Sequence, residues 1–159
     1  MADQIRRIAS PATSATAANA ATRTATTRAS ITARVYCAGM SRTLVVKATA
    51  GADAPERCAQ AFTVAATAVA SGVPTSLWLT GESTWYALPG RAAEFELAGS
   101  APLTELLSAV LGAGTVTACS QCAARRSITG ADVLPGVRIA GAAVFVSEAL
   151  ADGAQALVY

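Results

Sequence analysis

The chain has no histidine. That excludes Ser-His-Asp and Cys-His catalysis and every metal site built on imidazole. Lysine is nearly absent too, Lys47 being the only one. A histidine-free enzyme of 159 residues must work through a thiol, a carboxylate, that lysine or a cofactor. Aromatic residues make up only 5% of the chain, so its apolar mass is Ala, Val and Leu, which pack closely in helix-on-sheet layers. No apolar run approaches the ~18 residues a membrane helix needs. Residues 1–39 lack the continuous apolar stretch of a secretory signal, and none follows Arg6-Arg7 as a twin-arginine signal would require. With no basic stripe and no aromatic–basic interleaving, neither nucleic acid nor a membrane is expected as a partner.

What is present divides the chain in two. Residues 1–39 hold five arginines and a single acid, Asp3, among Ala, Thr and Ser. They carry too little apolar surface to offset the entropy of ordering. This extension is expected to be disordered, or to be upstream of a true start at Met40. Its Ser/Thr-rich, acid-poor composition also fits a transit peptide. Residues 40–159 hold seven basic and nine acidic residues, so the predicted domain is mildly acidic. The whole chain is 53% hydrophobic, enough to build a core and to leave apolar surface for self-association. Four cysteines in such a chain suggest reduced cytoplasmic thiols rather than a disulfide scaffold.

From Leu44 the pattern is regular. Leu44–Val46 reads as a short buried strand. Asp53, Pro55 and Glu56 form a helix-start signature, with Asp53 as cap. Cys58, Phe62, Ala65 and Val69 then fall on one helical face. Ser76–Leu79 is a second strand, and Trp85–Leu88 is ambiguous between a helical turn and a strand. Residues 90–101 read as a loop with a candidate strand at Phe95–Leu97. Pro102 opens a helix, Thr115–Ala118 is a strand running into Cys119, and a helix follows to about Ser127. A last helix around Phe145–Leu150 precedes a closing strand at Ala156–Val158. Alternating strands and helices predict an α/β fold: three layers, α/β/α, around a mostly parallel sheet of about five strands.

The sharpest constellation is Cys119-Ser120-Gln121-Cys122-Ala123-Ala124-Arg125-Arg126. It falls at the carboxyl end of a strand, the edge where open α/β sheets bind ligands. Backbone N–H groups opening a helix favour thiolate, the nucleophile of sulfur chemistry, and this points to Cys119. The plainer reading makes both cysteines small buried hydrophobes. Zinc would need all four cysteines, so no metal is expected, and no cofactor is implied. Glu82, Trp85 and Tyr86 follow the second strand on the same edge and are pocket candidates. Arg125 could add positive potential. Tyr86 and Trp85 could equally be packing residues, Glu82 a loop acid, and Lys47 a solvated strand-edge residue.

The run Thr115–Ile128, followed by Leu134–Gly141 and the closing strand, resembles the DsrE/DsrF-like family, which includes the TusD-type sulfur-relay subunits. The resemblance covers about residues 42–159. It implies a DsrEFH-like fold and a sulfurtransferase or sulfur-carrier role, with the family cysteine mapping onto Cys119. Its thiolate would take up sulfane sulfur from a donor as a persulfide and pass it to a protein acceptor. The resemblance also implies a homo-oligomer, a hexamer or trimer of dimers. The second cysteine, Cys122, departs from a simple carrier: if it reaches Cys119 it could displace the sulfur as sulfide and close a disulfide. Two further readings stay open, a non-catalytic oligomeric module that binds a ligand or partner, and a C-x-x-C dithiol oxidoreductase.

Overall fold

Five short runs pair side by side, every one parallel to its neighbour. They are β1 (Thr43–Ala48), β2 (Thr75–Leu79), β3 (Thr115–Cys119), β4 (Val137–Ala140) and β5 (Ala154–Val158), in the order β4-β3-β2-β1-β5. The computed structural model describes residues 42–159. The expectations for residues 1–39, for Met40 as a start and for Cys37 lie outside the described residues.

Parallel strands cannot be joined by hairpins, so each connection crosses over through a helix. These helices are α1 (Pro55–Ala70), α2 (Leu103–Ala113), α3 (Ser120–Arg125) and α4 (Ala142–Ala149). From β1 to β4 the chain steps the same way across the sheet three times. Right-handed crossovers therefore put α1, α2 and the short α3 on one side. The return from β4 to β5 steps back across the sheet and brings α4 to the other side. The result is the expected α/β/α sandwich, with one helix alone forming the third layer.

Strand alternation gives the two sheet faces different chemistry. Val46, Ala48, Leu77, Leu79, Val116 and Ala118 face α1 and α2 and join Phe62 and Val110 in one apolar core. The opposite face carries Lys47, Ser76, Trp78, Thr117 and Arg138, which the register sets side by side. Val45 and Val46 point to opposite faces and are both fully buried, as the run Leu44–Val46 suggested, but the second face is otherwise largely polar. Glu148 of α4 reaches down onto the polar face, accepting hydrogen bonds from Ser76 Oγ at 2.7 Å and Trp78 Nε1 at 2.8 Å and pairing with Arg138. Phe145 meets Trp78 edge-on at 5.3 Å, and Lys47 Nζ lies 4.8 Å from its ring centre. Lys47 is therefore half-buried between β2 and β5, not a solvated edge residue.

Three local expectations are corrected. The fifth strand is Val137–Ala140, not Phe95–Leu97. Phe95 instead turns inward against Tyr86, ring centres 5.9 Å apart, and takes its segment away from the sheet. Asp53 does not cap α1: the cap position is Ala54, and Asp53 Oδ1 accepts the Gly51 N–H at 2.7 Å. The helix after Cys119 ends at Arg125, and Ser127 is left-handed with φ 54°.

Candidate functional site

β3 ends at Cys119, which occupies the cap position of α3 in extended conformation, φ −65° and ψ 124°. It continues the row of Thr115 and Thr117, the polar face of the sheet, and is half-buried. A cap residue faces the first N–H groups of its helix, normally with a side-chain oxygen. Here a sulfur takes that place. It makes no close cap bond, yet the Gln121 and Cys122 N–H groups lie near enough to stabilise its thiolate. Burial by itself would raise the Cys119 pKa. The Cys122 N–H and thiol, the Gln121 N–H and the charge of Lys47 outweigh it, holding the thiol below its ordinary value. A six-residue helix has little macrodipole, so these particular groups matter more than the helix as a whole.

Cys122 lies one turn into α3 and is buried. Its Sγ accepts the Gly81 N–H at 3.3 Å, the one well-formed hydrogen bond to sulfur among the described residues. Gly81 opens a 3-10 segment, Gly81–Ala87, directly after β2. Its φ is +52°, and a Cβ there would sit 2.5 Å from Thr49 O, so only glycine fits. The segment is tied to β1: Thr80 Oγ1 and Ser83 Oγ both donate to Ala48 O, at 2.9 and 2.7 Å. The donor to Cys122 is thus held by the sheet itself.

Glu82, Trp85 and Tyr86 come together as expected from their spacing after β2. They line a cavity of about 220 Å³ with Asp53, Arg91 and Phe95. Cys119 is not among its walls. The link between cavity and cysteine motif is Arg126, whose Nη2 pairs with Glu82 at 2.6 Å and whose Nη1 donates to Cys122 O at 3.2 Å. Trp85 lies between the two regions, with the Arg91 and Arg126 guanidinium carbons each 5.5 Å from its ring centre. Arg125 is exposed and lines no part of the cavity. Arg126 takes the inward place because it is four residues after buried Cys122, on the same helical side. That spacing was visible in the sequence. The Gly81 N–H and the approach of Lys47 were not, since both depend on how β1, β2 and β3 line up.

Cys58 is fully buried on α1, and burial raises its pKa to about 12 even though the neighbouring Tyr86 hydroxyl pulls the other way. It packs within the apolar core. No group of three or more His, Cys, Asp or Glu side chains among the described residues could hold a metal ion. No helix among them is long and apolar enough to cross a membrane.

An all-parallel five-stranded α/β sandwich with a thiol at the carboxyl end of β3 defines a class of protein. Residues 43–159 match the DsrE/DsrF-like family, and the chain belongs to that family. The fold is shared with the ychN protein of E. coli, at TM-score 0.61 and 16% identity, covering 74% of this chain and 98% of that one. It is also shared with MTH1491 of Methanobacterium thermoautotrophicum, a protein of unknown function, at TM-score 0.54 and 15% identity with the same coverage. No curated protein matches the sequence.

Proposed function

We propose that this protein is a sulfur-relay carrier that holds sulfane sulfur as a persulfide on Cys119. The observation that carries the reading is a half-buried thiol at the sheet's carboxyl edge, held below its ordinary pKa by two N–H groups, a thiol and a lysine. Membership of the DsrE/DsrF-like family supports the same chemistry. The Cys119 thiolate attacks the outer sulfur of a donor persulfide; a new S–S bond forms, the donor S–S bond breaks and the donor leaves as a thiolate. An acceptor protein's thiolate then attacks the outer sulfur on Cys119 and regenerates the Cys119 thiolate. No oxidant and no cofactor are consumed. The free thiols suit a reducing, cytoplasmic compartment.

The working unit is a homo-oligomer, with a hexamer the family expectation. α4 supports this because its orientation is inverted. It turns Glu148 onto the sheet and leaves Val144, Val146 and the adjoining Leu150 39%, 50% and 79% exposed. With Val158 these are the exposed large hydrophobics of the described residues. A second copy of the chain would bury them.

The test is intact mass after treatment with a sulfane donor and desalting. Gain of one sulfur in the native protein, absent in Cys119→Ser, is expected. If neither gains sulfur, the carrier reading fails and the non-catalytic module takes its place.

A further inference from the structure

A persulfide on Cys119 has two electrophilic sulfurs, and the geometry treats them differently. The outer one extends from a half-exposed side chain toward solvent, where an acceptor can reach it. The inner one is Cys119 Sγ itself, held at the cap of α3. The two cysteines are three apart, one at the cap of α3 and one in its first turn. Side chains at that spacing sit about 5–6 Å apart at Cβ, so reaching the ~3.5–4.5 Å of a disulfide requires the cap residue to move inward by about 1–2 Å. Cys122 is only 8% exposed, which leaves an incoming protein little access to it. Its sulfur is oriented by the Gly81 N–H, which the loop after β2 cannot withdraw, since Gly81 is wedged against Thr49 O. That contact occupies one lone pair of Cys122 Sγ.

We infer that Cys122 is a resolving thiol: it attacks the inner sulfur of a Cys119 persulfide that no acceptor has claimed, closing a Cys119–Cys122 disulfide and expelling the outer sulfur as hydrosulfide. This rests on the carrier reading. The bond formed is Sγ–Sγ, and the bond broken is that between Cys119 Sγ and the outer sulfur. The outer sulfur takes the electron pair and is reduced to sulfide, while the two cysteine sulfurs are oxidised to the disulfide. The Cys122 proton leaves on the hydrosulfide, so charge and atoms balance with no outside oxidant. The alternative fates compete: an acceptor that arrives promptly receives sulfur, and a carrier left waiting empties itself and becomes unable to reload until it is reduced. Burial of Cys122 directs its attack to the inner sulfur alone.

The experiment follows desalted, sulfur-loaded protein by intact mass and by trapping released hydrosulfide. Native protein should lose its gained sulfur, lose two hydrogens more, and release one hydrosulfide per chain. Cys122→Ser keeps a hydrogen-bonding hydroxyl but no thiol, and should hold the gained sulfur over the same period with no release. Cys122→Ala, checked for native circular dichroism, should behave in the same way. If both Cys122 variants empty as fast as the native protein, the resolving role is wrong and the carrier reading stands. If native protein keeps its sulfur, the inference is likewise overturned. If no variant retaining Cys119 ever gains sulfur, the carrier reading itself has failed and the inference with it.

Discussion

The two faces of the sheet are built on different principles. Toward α1 and α2 the sheet presents mainly apolar side chains, and Leu77 and Leu79 are wholly buried there against Phe62. Toward α4 it presents Lys47, Ser76, Trp78, Thr117 and Arg138, and none of the α4 residues is fully buried. The first face is held by removal of apolar area from water, which is strong and indifferent to pH. The second is held by directional bonds to one carboxylate, Glu148, and by aromatic edges around Phe145. Cys119 lies on the second face. A reactive thiol needs nearby N–H groups, a cation and access, and a sealed hydrocarbon layer supplies none of these. The division puts stability on one side and chemistry on the other.

The sharpest way to test that division is to truncate a phenylalanine on each face. Phe62→Ala removes a fully buried ring that meets Tyr86 edge-on at 5.8 Å. It should cost about 3–5 kcal/mol in denaturant unfolding. Phe145→Ala removes a half-buried ring and should cost about 1–2 kcal/mol. Equal losses would mean that both faces are core.

Glu148 gives the next largest effect. Its carboxyl is held below its usual pKa: burial pushes it up, but bonds from Trp78, Ser76 and Arg138 outweigh that. A folded pKa below the unfolded one contributes stability above the unfolded value, near 4.3 for Glu, which disappears as pH falls through the folded value. Glu148→Gln should therefore destabilise the protein at neutral pH, by about 1–2 kcal/mol for lost charge-assisted bonds. The deficit relative to native protein should shrink as pH is lowered below 4. A deficit unchanged by pH would show that Glu148 acts through shape alone.

The thiols should separate by face. Iodoacetamide at neutral pH should modify Cys119 first, because its thiolate is favoured, while Cys58 stays unmodified until unfolding. Peptide mass mapping over time reads the order. If Cys58 is labelled as fast as Cys119, the contrast between the faces does not govern reactivity.

The smallest effect on folding should come from the outer side of α4. Val146→Glu places a charge on a half-exposed position and should change unfolding free energy by no more than about 0.5 kcal/mol. The same change should shift sedimentation from an oligomer to a single chain. A native protein that already sediments as a single chain at every concentration would refute the oligomer.

Much of this was legible in the sequence because it is local. The strands at Leu44, Ser76, Thr115 and Ala156, the α1 face and the cysteine at a strand-to-helix junction are all set by neighbours within a few residues. β4 was missed because Val137–Ala140 is four residues long and directly follows Pro135-Gly136, so turn chemistry masked it. Phe95–Leu97 was mistaken for a strand because three residues with two apolar side chains cannot be distinguished by period. Arg125 and Arg126 are neighbours in sequence, and only helical phase from Cys122 distinguishes the inward Arg126 from the exposed Arg125.

By itself the sequence determined the alternation of elements, the parallel sheet, the absence of imidazole chemistry and the place of Cys119. Each of these follows from residue type and short-range periodicity. The tertiary structure decided what surrounds that thiol. Lys47 approaches it from a strand two places away, Gly81 directs an N–H at Cys122 across 41 residues of chain, and Glu148 joins the polar face from 70 or more residues beyond β2. Such contacts are set by strand order and register, and register depends on all the strands packing at once.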